Sequence, residues 1–368
     1  MTLPIVSSSP LPPRYAAWMD EVLGGTVPNE TNATCESCAM CSGAAQPSEA
    51  QAGAESRFFL PDVKCCSYHP ILWNFLTGDL LADDSPEAAV GRATVERRLA
   101  AGVAVTPLGL DRDPVNDVLY NHILPAFGQT RSMLCPHFLS DSGLCGVWRH
   151  RESTCLTFFC KHVRGAVGKT FWERLRQLLR TVEESLARWC VLELDLGSAA
   201  LAALFPVARP DHDKPVLSAR DFDQLPNPAR HRLLWGSWAG RERELYLAAA
   251  DLVRPLAWQQ VAALGGAQLA VQARLLREAY EALVSPALPE RLVARPVKLS
   301  PVGAASYQAV TYSPLDPIQL PVRLAQLLHY FDGRPTSEAL EAIAEDHRLQ
   351  LTPDLILKLV DYGVLAPA

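Results

Sequence analysis

The chain lacks any run of about 18 apolar residues, the shortest that makes a bilayer-spanning helix, so no membrane span is expected. It lacks an excess of positive charge: 34 Lys and Arg stand against 40 Asp and Glu, a formal net charge of −6. No global basic field then favours nucleic acid, and none is expected as a partner. The opening MTLPIVSSSPLPPRYAAW has neither the basic start nor the apolar stretch of a secretory signal. That points to a cytoplasmic protein, in a compartment where thiols stay reduced. No G-x-G-x-x-G loop follows a strand-like segment, so no standard Rossmann pocket is readable. No internal repeat organises the chain.

What it has is cysteine. There are ten, in a chain of 368 residues that is otherwise ordinary, 49% hydrophobic and 20% charged. That composition supplies ample core, and the length suggests two or three domains. In a reducing compartment ten cysteines point to metal ligation rather than disulfides. Four of them crowd the stretch CPHFLSDSGLCGVWRHRESTCLTFFCKH, at Cys135, Cys145, Cys155 and Cys160. Upstream, Cys35, Cys38 and Cys41 form C-x2-C-x2-C, and Cys65 and Cys66 are adjacent.

Two-residue gaps let one turn aim successive sulfurs and backbone N–H groups at a single centre. This is the spacing of three ligands on a bacterial ferredoxin cluster. The fourth ligand of that run would fall at position 45, which is Ala45, so it must come from elsewhere; Cys65 and Cys66 are candidates. The C-x3-C-x2-C spacing of radical-SAM enzymes is not present. The expected ligand set is Cys35, Cys38, Cys41, Cys65, Cys66, Cys135, Cys145, Cys155 and Cys160, more than one tetrahedral site can use. One or two centres are therefore open, each an iron–sulfur cluster, with [4Fe–4S] favoured, or zinc. His69, His137, His150 and His162 lie near cysteines in sequence, so mixed Cys/His zinc sites are also allowed. Each of these histidines reads more readily as a surface or capping residue. Cys190 stands among apolar neighbours and reads as a buried thiol. Phe138, Trp148, Phe158 and Phe159 read as packing that keeps a site dry. Ligand counting also predicts that the Cys35–Cys41 group shares its centre with cysteines from downstream.

At these residues the chain resembles a known group. Cys35-x2-Cys38-x2-Cys41, Cys65-Cys66, Cys135-Pro136, Gly143-Leu-Cys145-Gly-Val-Trp148, Arg151, Cys155 and Cys160 are similar to the YkgJ-type CxxCxxCC family of zinc- or iron-chelating proteins, which includes the flagellin lysine-N-methylases. The likeness covers about residues 35–165. Here 23 residues separate the CC pair from C-x2-C-x2-C, and Arg151-Glu152 stands where the family has Arg-Pro. The resemblance implies metal or cluster binding. It also implies an alternative, a protein lysine N-methyltransferase using S-adenosylmethionine on a peptide or protein substrate; whether the chain is an enzyme stays open. Residues 293–368 resemble the PqqD-type small domains through Leu327-Leu-His-Tyr-Phe-Asp-Gly-Arg-Pro-Thr, Ala339–Asp346 and Leu355–Leu365. That likeness implies a further alternative, a peptide-binding module, beside the plainer reading of a winged helix packed on its own chain.

The expected fold is mainly α with small β elements. A cysteine-rich domain is expected over 1–195, a helical region over 196–292, and a winged-helix-like domain over 293–368. A short helix is predicted over Tyr15–Leu23. Residues 42–56, small and polar, read as a flexible connection. RFFLPDVKCC reads as strand-like up to Cys65. A long amphipathic helix follows Lys169, with Phe171, Leu175, Leu178, Leu179, Val182 and Leu186 on one stripe. The segments LAWQQVAAL and AQLAVQARLLREAYEALV show helical periodicity. After Pro286, VKLSPVG and YQAVTYS are β-rich. Three short helices follow, with Thr336 or Ser337 and Thr352-Pro353 as starts and Gly333 and Gly363 as stops.

Overall fold

The computed structural model describes residues 10–31, 34, 35, 38, 40, 41, 59–122, 126–207, 217–285 and 287–368. The connection expected over 42–56 lies outside the described residues. About 54% of the described residues are helical and 10% are strand, in small sheets, so the class is α-rich and mixed. No helix among the described residues is long and apolar enough to cross a membrane.

In chain order, α1 (Pro13–Leu23) precedes β1 (Leu72–Trp73), α2 (Asn74–Ala82), α3 (Ala89–Ala101), β2 (Val105–Thr106), β3 (Gly109–Leu110) and α4 (Pro114–Tyr120). Then come β4 (Phe138–Leu139), β5 (Leu144–Cys145), α5 (Ser153–Thr157), α6 (Gly165–Glu193), α7 (Ser198–Leu204), α8 (Ala219–Phe222), α9 (Pro228–Trp235), α10 (Glu242–Val253) and α11 (Trp258–Val284). The chain closes with β6 (Arg291–Ala294), β7 (Leu299–Val302), β8 (Ser306–Ala309), β9 (Ile318–Pro321), α12 (Val322–Leu327), β10 (Asp332–Pro335), α13 (Thr336–His347), α14 (Pro353–Asp361) and β11 (Leu365–Pro367). It divides into two compact units. The first holds Met1–Asn29, Cys35–Thr157 and Arg176–Ala273, and the second holds Glu30–Thr34, Phe158–Leu175 and Arg274–Ala368.

In the first unit, α1 starts on Pro13 and stops at Gly24, whose φ of 65° turns its N–H back to Asp20 O at 3.0 Å. Its buried residues Tyr15, Trp18, Met19 and Val22 recur every three or four positions. Helix α2 is buried along most of its length and crosses α10 closely. The crossing needs Gly78, because a Cβ there would lie 1.8 Å from Tyr246 O. A three-stranded antiparallel sheet, β1-β3-β2, closes beside α2. Buried Asn74 ties the two together: its amide donates to Pro107 O at 3.1 Å and Ala187 O at 3.0 Å, and its Oδ1 accepts from Phe75 N. The core around them includes Leu80, Val95, Leu110, Trp235 and Tyr246.

The stripe read from the sequence on α6 is fully buried: Phe171, Leu175, Leu178, Leu179, Val182 and Leu186 are each 0% exposed. Cys190 is buried as expected, with its Sγ 3.7 Å from Ala249 O. Gly266, at φ 58°, breaks α11 between the two periodic segments. The strand-like reading of residues 57–66 gives way to turns over the described part. Val63 and Lys64 both donate to Leu60 O, Cys66 donates to Val63 O, and Lys64 sits at φ 53°. Such reverse turns cannot coexist with an extended chain.

The second unit has two antiparallel sheets, β10-β6-β11 and β7-β8-β9. Its core gathers Leu292, Leu320, Phe331, Ile343, Ile356 and Leu365. Thr352 caps α14, its Oγ1 accepting from Leu355 N at 3.3 Å. Thr336 does not cap α13, since its hydroxyl donates to Pro289 O at 2.8 Å. Gly333 does not stop a helix; it lies inside β10.

Candidate metal centre

The site is built on loops, and specific polar contacts hold them. Lys64 Nζ donates to Cys35 O and to Gly143 O, both at 2.6 Å. One ammonium thus holds the C-x2-C-x2-C segment against the turn of the β4–β5 hairpin. Within that segment Cys41 N donates to Cys38 O at 2.9 Å, and Phe59 N donates to Met40 O at 3.0 Å. Cys66 O accepts from Cys135 N at 2.7 Å, which joins the CC pair to the Cys-Pro turn. Phe138 pairs with Cys145 across β4 and β5. Gly143, at φ 65°, makes that hairpin possible, and Gly146 N donates to His137 O at 2.8 Å. Helix α3 presses on the same hairpin through Gly91, where a Cβ would come 2.2 Å from Gly146 O.

Arg151 and Glu152 position Cys155. Arg151 Nη1 donates to Cys155 O and its Nε to Trp148 O, both at 3.0 Å. Glu152 caps α5, its carboxylate accepting from Thr154 N at 2.7 Å and Cys155 N at 2.9 Å. Beneath lies a second carboxylate, Glu183 of α6, 0% exposed. It accepts from Ser153 N, Ser153 Oγ and Tyr15 Oη, each at 2.7 Å. Burial first, and Glu152 second, push Glu183 up to about 8.

Eight cysteines of the first unit share one electrostatic neighbourhood, and none of them is disulfide-bonded. Burial, then Cys65, raises Cys35 to about 11. Burial, then the hydrogen bond with Cys38, raises Cys41 to about 12. Cys65 is held well above the usual thiol range by its hydrogen bond with Cys66, then by burial and by Cys38. Burial raises Cys135 to about 12, with Cys145 and Cys65 adding to it. Cys145 rises through burial, then Cys35 and Cys65; Cys155 rises through burial, then Glu152, Cys135 and Cys145. Three cations oppose these shifts: Lys64 at Cys35 and Cys41, Arg151 at Cys35, Cys145 and Cys155, and Arg98 at Cys135. The segment Cys35–Cys41, expected to need downstream partners, therefore stands within the field of Cys65 and Cys145. Cys160 is buried and belongs to the second unit.

Among the described residues, no three His, Cys, Asp or Glu side chains are set closely enough to hold a metal ion as they stand. The donor chemistry does fit zinc or an iron–sulfur cluster, since both take soft sulfur ligands. Of the four histidines, His69 Nε2 lies 3.1 Å from Met133 O and from Leu134 O, and His150 Nε2 pairs with Asp83 at 2.9 Å. His137 faces Thr94 Oγ1 through Nδ1 at 2.8 Å, while its buried Nε2 has no partner among the described residues. His162, in the second unit, likewise leaves Nδ1 buried without one.

The aromatics divide. Phe138 is buried, and in the second unit Phe159 packs on Trp172 with centroids 4.7 Å apart. Trp148 is 45% exposed, with the Arg151 guanidinium 3.5 Å from its ring centroid, so it serves as a platform for Arg151 rather than as packing. Sequence reasoning missed Lys64, Arg98 and Glu183. A signal existed for Glu183, a carboxylate set directly after Val182 of the buried stripe. No protein family, curated protein or solved structure matches this chain.

Proposed function

We propose that this chain is a cysteine-ligated metal-binding protein, holding one or two iron–sulfur or zinc centres through Cys35, Cys38, Cys41, Cys65, Cys66, Cys135, Cys145 and Cys155, with Cys160 a further candidate. The observation that carries the reading is the gathering of eight thiols from four chain segments beside Lys64, Arg98 and Arg151. Without a bound metal, burial and neighbouring cysteines raise Cys35, Cys41, Cys65, Cys135, Cys145 and Cys155 above the usual thiol range despite these three side chains. A bound metal would supply the missing positive charge and displace their protons, so binding and folding would be linked. The likeness to the YkgJ-type family at these same residues agrees with this reading. The winged-helix-like reading of residues 293–368 is likewise a proposal, supported by two small sheets and three helices around one core.

Elemental analysis and visible absorption of anaerobically purified protein test the proposal. Iron with acid-labile sulfide and broad visible absorption identifies a cluster; zinc without colour identifies a zinc centre. Protein that is folded yet carries neither metal, and takes up neither when reconstituted, contradicts it.

A further inference from the structure

We propose that the first unit carries an oxyanion-binding pocket, distinct from the cysteine set, that seats a small organic carboxylate or phosphate ester. The cavity measures about 720 Å³, within the few hundred to about 1,000 Å³ typical of small-ligand pockets. It is formed where α1, α2, the turn Trp148–His150 and the α10–α11 junction meet. Pro12, Leu76, Ala82 and Leu256 supply an apolar lining, and Arg14, Arg149 and Arg254 supply positive charge.

Arginines and carboxylates balance on the wall, and Arg254 also meets Asp251 at 2.5 Å, so the preference for an anion rests on the one arginine left over. Every carboxylate on the wall is already engaged. Asp79 takes Arg14 at 2.6 Å and Arg254 at 3.6 Å. Asp83 takes His150 Nε2 at 2.9 Å and Ser85 N at 3.0 Å. Glu21 accepts from Gln259 Nε2 at 2.9 Å. Arg149, by contrast, has no hydrogen-bond or ion-pair partner among the described residues. An arginine fork matches carboxylate and phosphate equally in a two-point contact, and Arg14 keeps donors beyond the one that meets Asp79. The apolar lining then asks for a body attached to the anion rather than a bare ion. Arg149 and His150 stand between Cys145 and Cys155 in the chain, and His150 is pinned to α2 through Asp83. The pocket and the thiol set therefore share one segment, but ligand binding does not require that a metal be present.

Calorimetric titration of the full chain with phenyl phosphate, benzoate and inorganic phosphate tests this, with metal content followed separately so that the two proposals fail independently. Saturable binding of phenyl phosphate or benzoate at one site per chain is expected, and the tighter of the two separates an ester from a carboxylate ligand. Arg149→Ala, an exposed position, is expected to weaken it about ten-fold, the worth of one charge-assisted contact. Arg274→Ala, removing an exposed arginine paired with Glu278, is expected to leave it unchanged. Absence of saturable binding by either aryl ligand overturns the proposal. So does undiminished binding in Arg149→Ala, or inorganic phosphate binding as tightly as both aryl ligands.

Discussion

Lys64 holds two loops with one atom, and nothing in its sequence position announces that role. A lysine before a CC pair reads as a surface charge, because its partners are backbone oxygens 29 and 79 residues away. Lys64→Met leaves both carbonyls without their charged donor, at a cost of about 2 kcal/mol. Denaturant unfolding should show that loss, and Cys35 should react faster with a thiol reagent than in the unaltered chain. Glu183 is the residue whose chemistry is set by burial rather than by neighbours in sequence. Its ordinary value of 4.5 rises to about 8 in the fold. Between those values the folded chain keeps a proton that the unfolded chain releases, so stability falls as pH rises through this window. It is unaffected by this group below about 4.5, where both states are protonated. The steepest contribution is about 1.4 kcal/mol per pH unit. Glu183→Gln, which keeps the shape without the charge, should flatten the slope of unfolding free energy against pH from 5 to 8; an unchanged slope would show that Glu183 ionises freely in the fold.

Helix α2 and helix α10 meet at a single small residue. Gly78→Ala puts a methyl group where Tyr246 O now stands, and overpacking of this kind costs about 1–3 kcal/mol. A drop in thermal midpoint of several degrees is expected, with Gly197→Ala testing the contrast. A Cβ at Gly197 meets nothing within 4 Å, so its cost comes from its positive φ alone. The long helices were legible because their periodicity persists: the α6 stripe is buried residue for residue, and the Gly265-Gly266 pair marks the break in α11. The strands were not. Those of the first unit are two residues long, too short for any alternation to register. The turns before Cys65 looked like a strand because Phe58, Phe59 and Leu60 are apolar; Lys64 at φ 53° is the feature that sequence does not declare. Thr336 looked like a helix cap until its hydroxyl found Pro289 O, a partner 47 residues away.

At the scale of the whole molecule, the described residues gather one core around Trp235 and Tyr246 and another around Phe331 and Ile343. The identity of the ten cysteines and their grouping were readable from spacing. Their electrostatic neighbourhood was not, because it depends on Lys64 and the Cys66–Cys135 backbone bond, which join segments far apart in the chain. The pocket beside Arg149 was also invisible, since its walls come from four separate elements. The central claim is that thiols from these segments serve common metal. The most direct test is the metal bound per chain, after anaerobic purification, in Cys35→Ser, Cys145→Ser and Cys190→Ser beside the unaltered protein. Cys35→Ser and Cys145→Ser, although 110 positions apart, are each expected to lower bound metal, while Cys190→Ser retains the full complement. Metal content untouched by both Cys35→Ser and Cys145→Ser, or lost in Cys190→Ser, would contradict that claim.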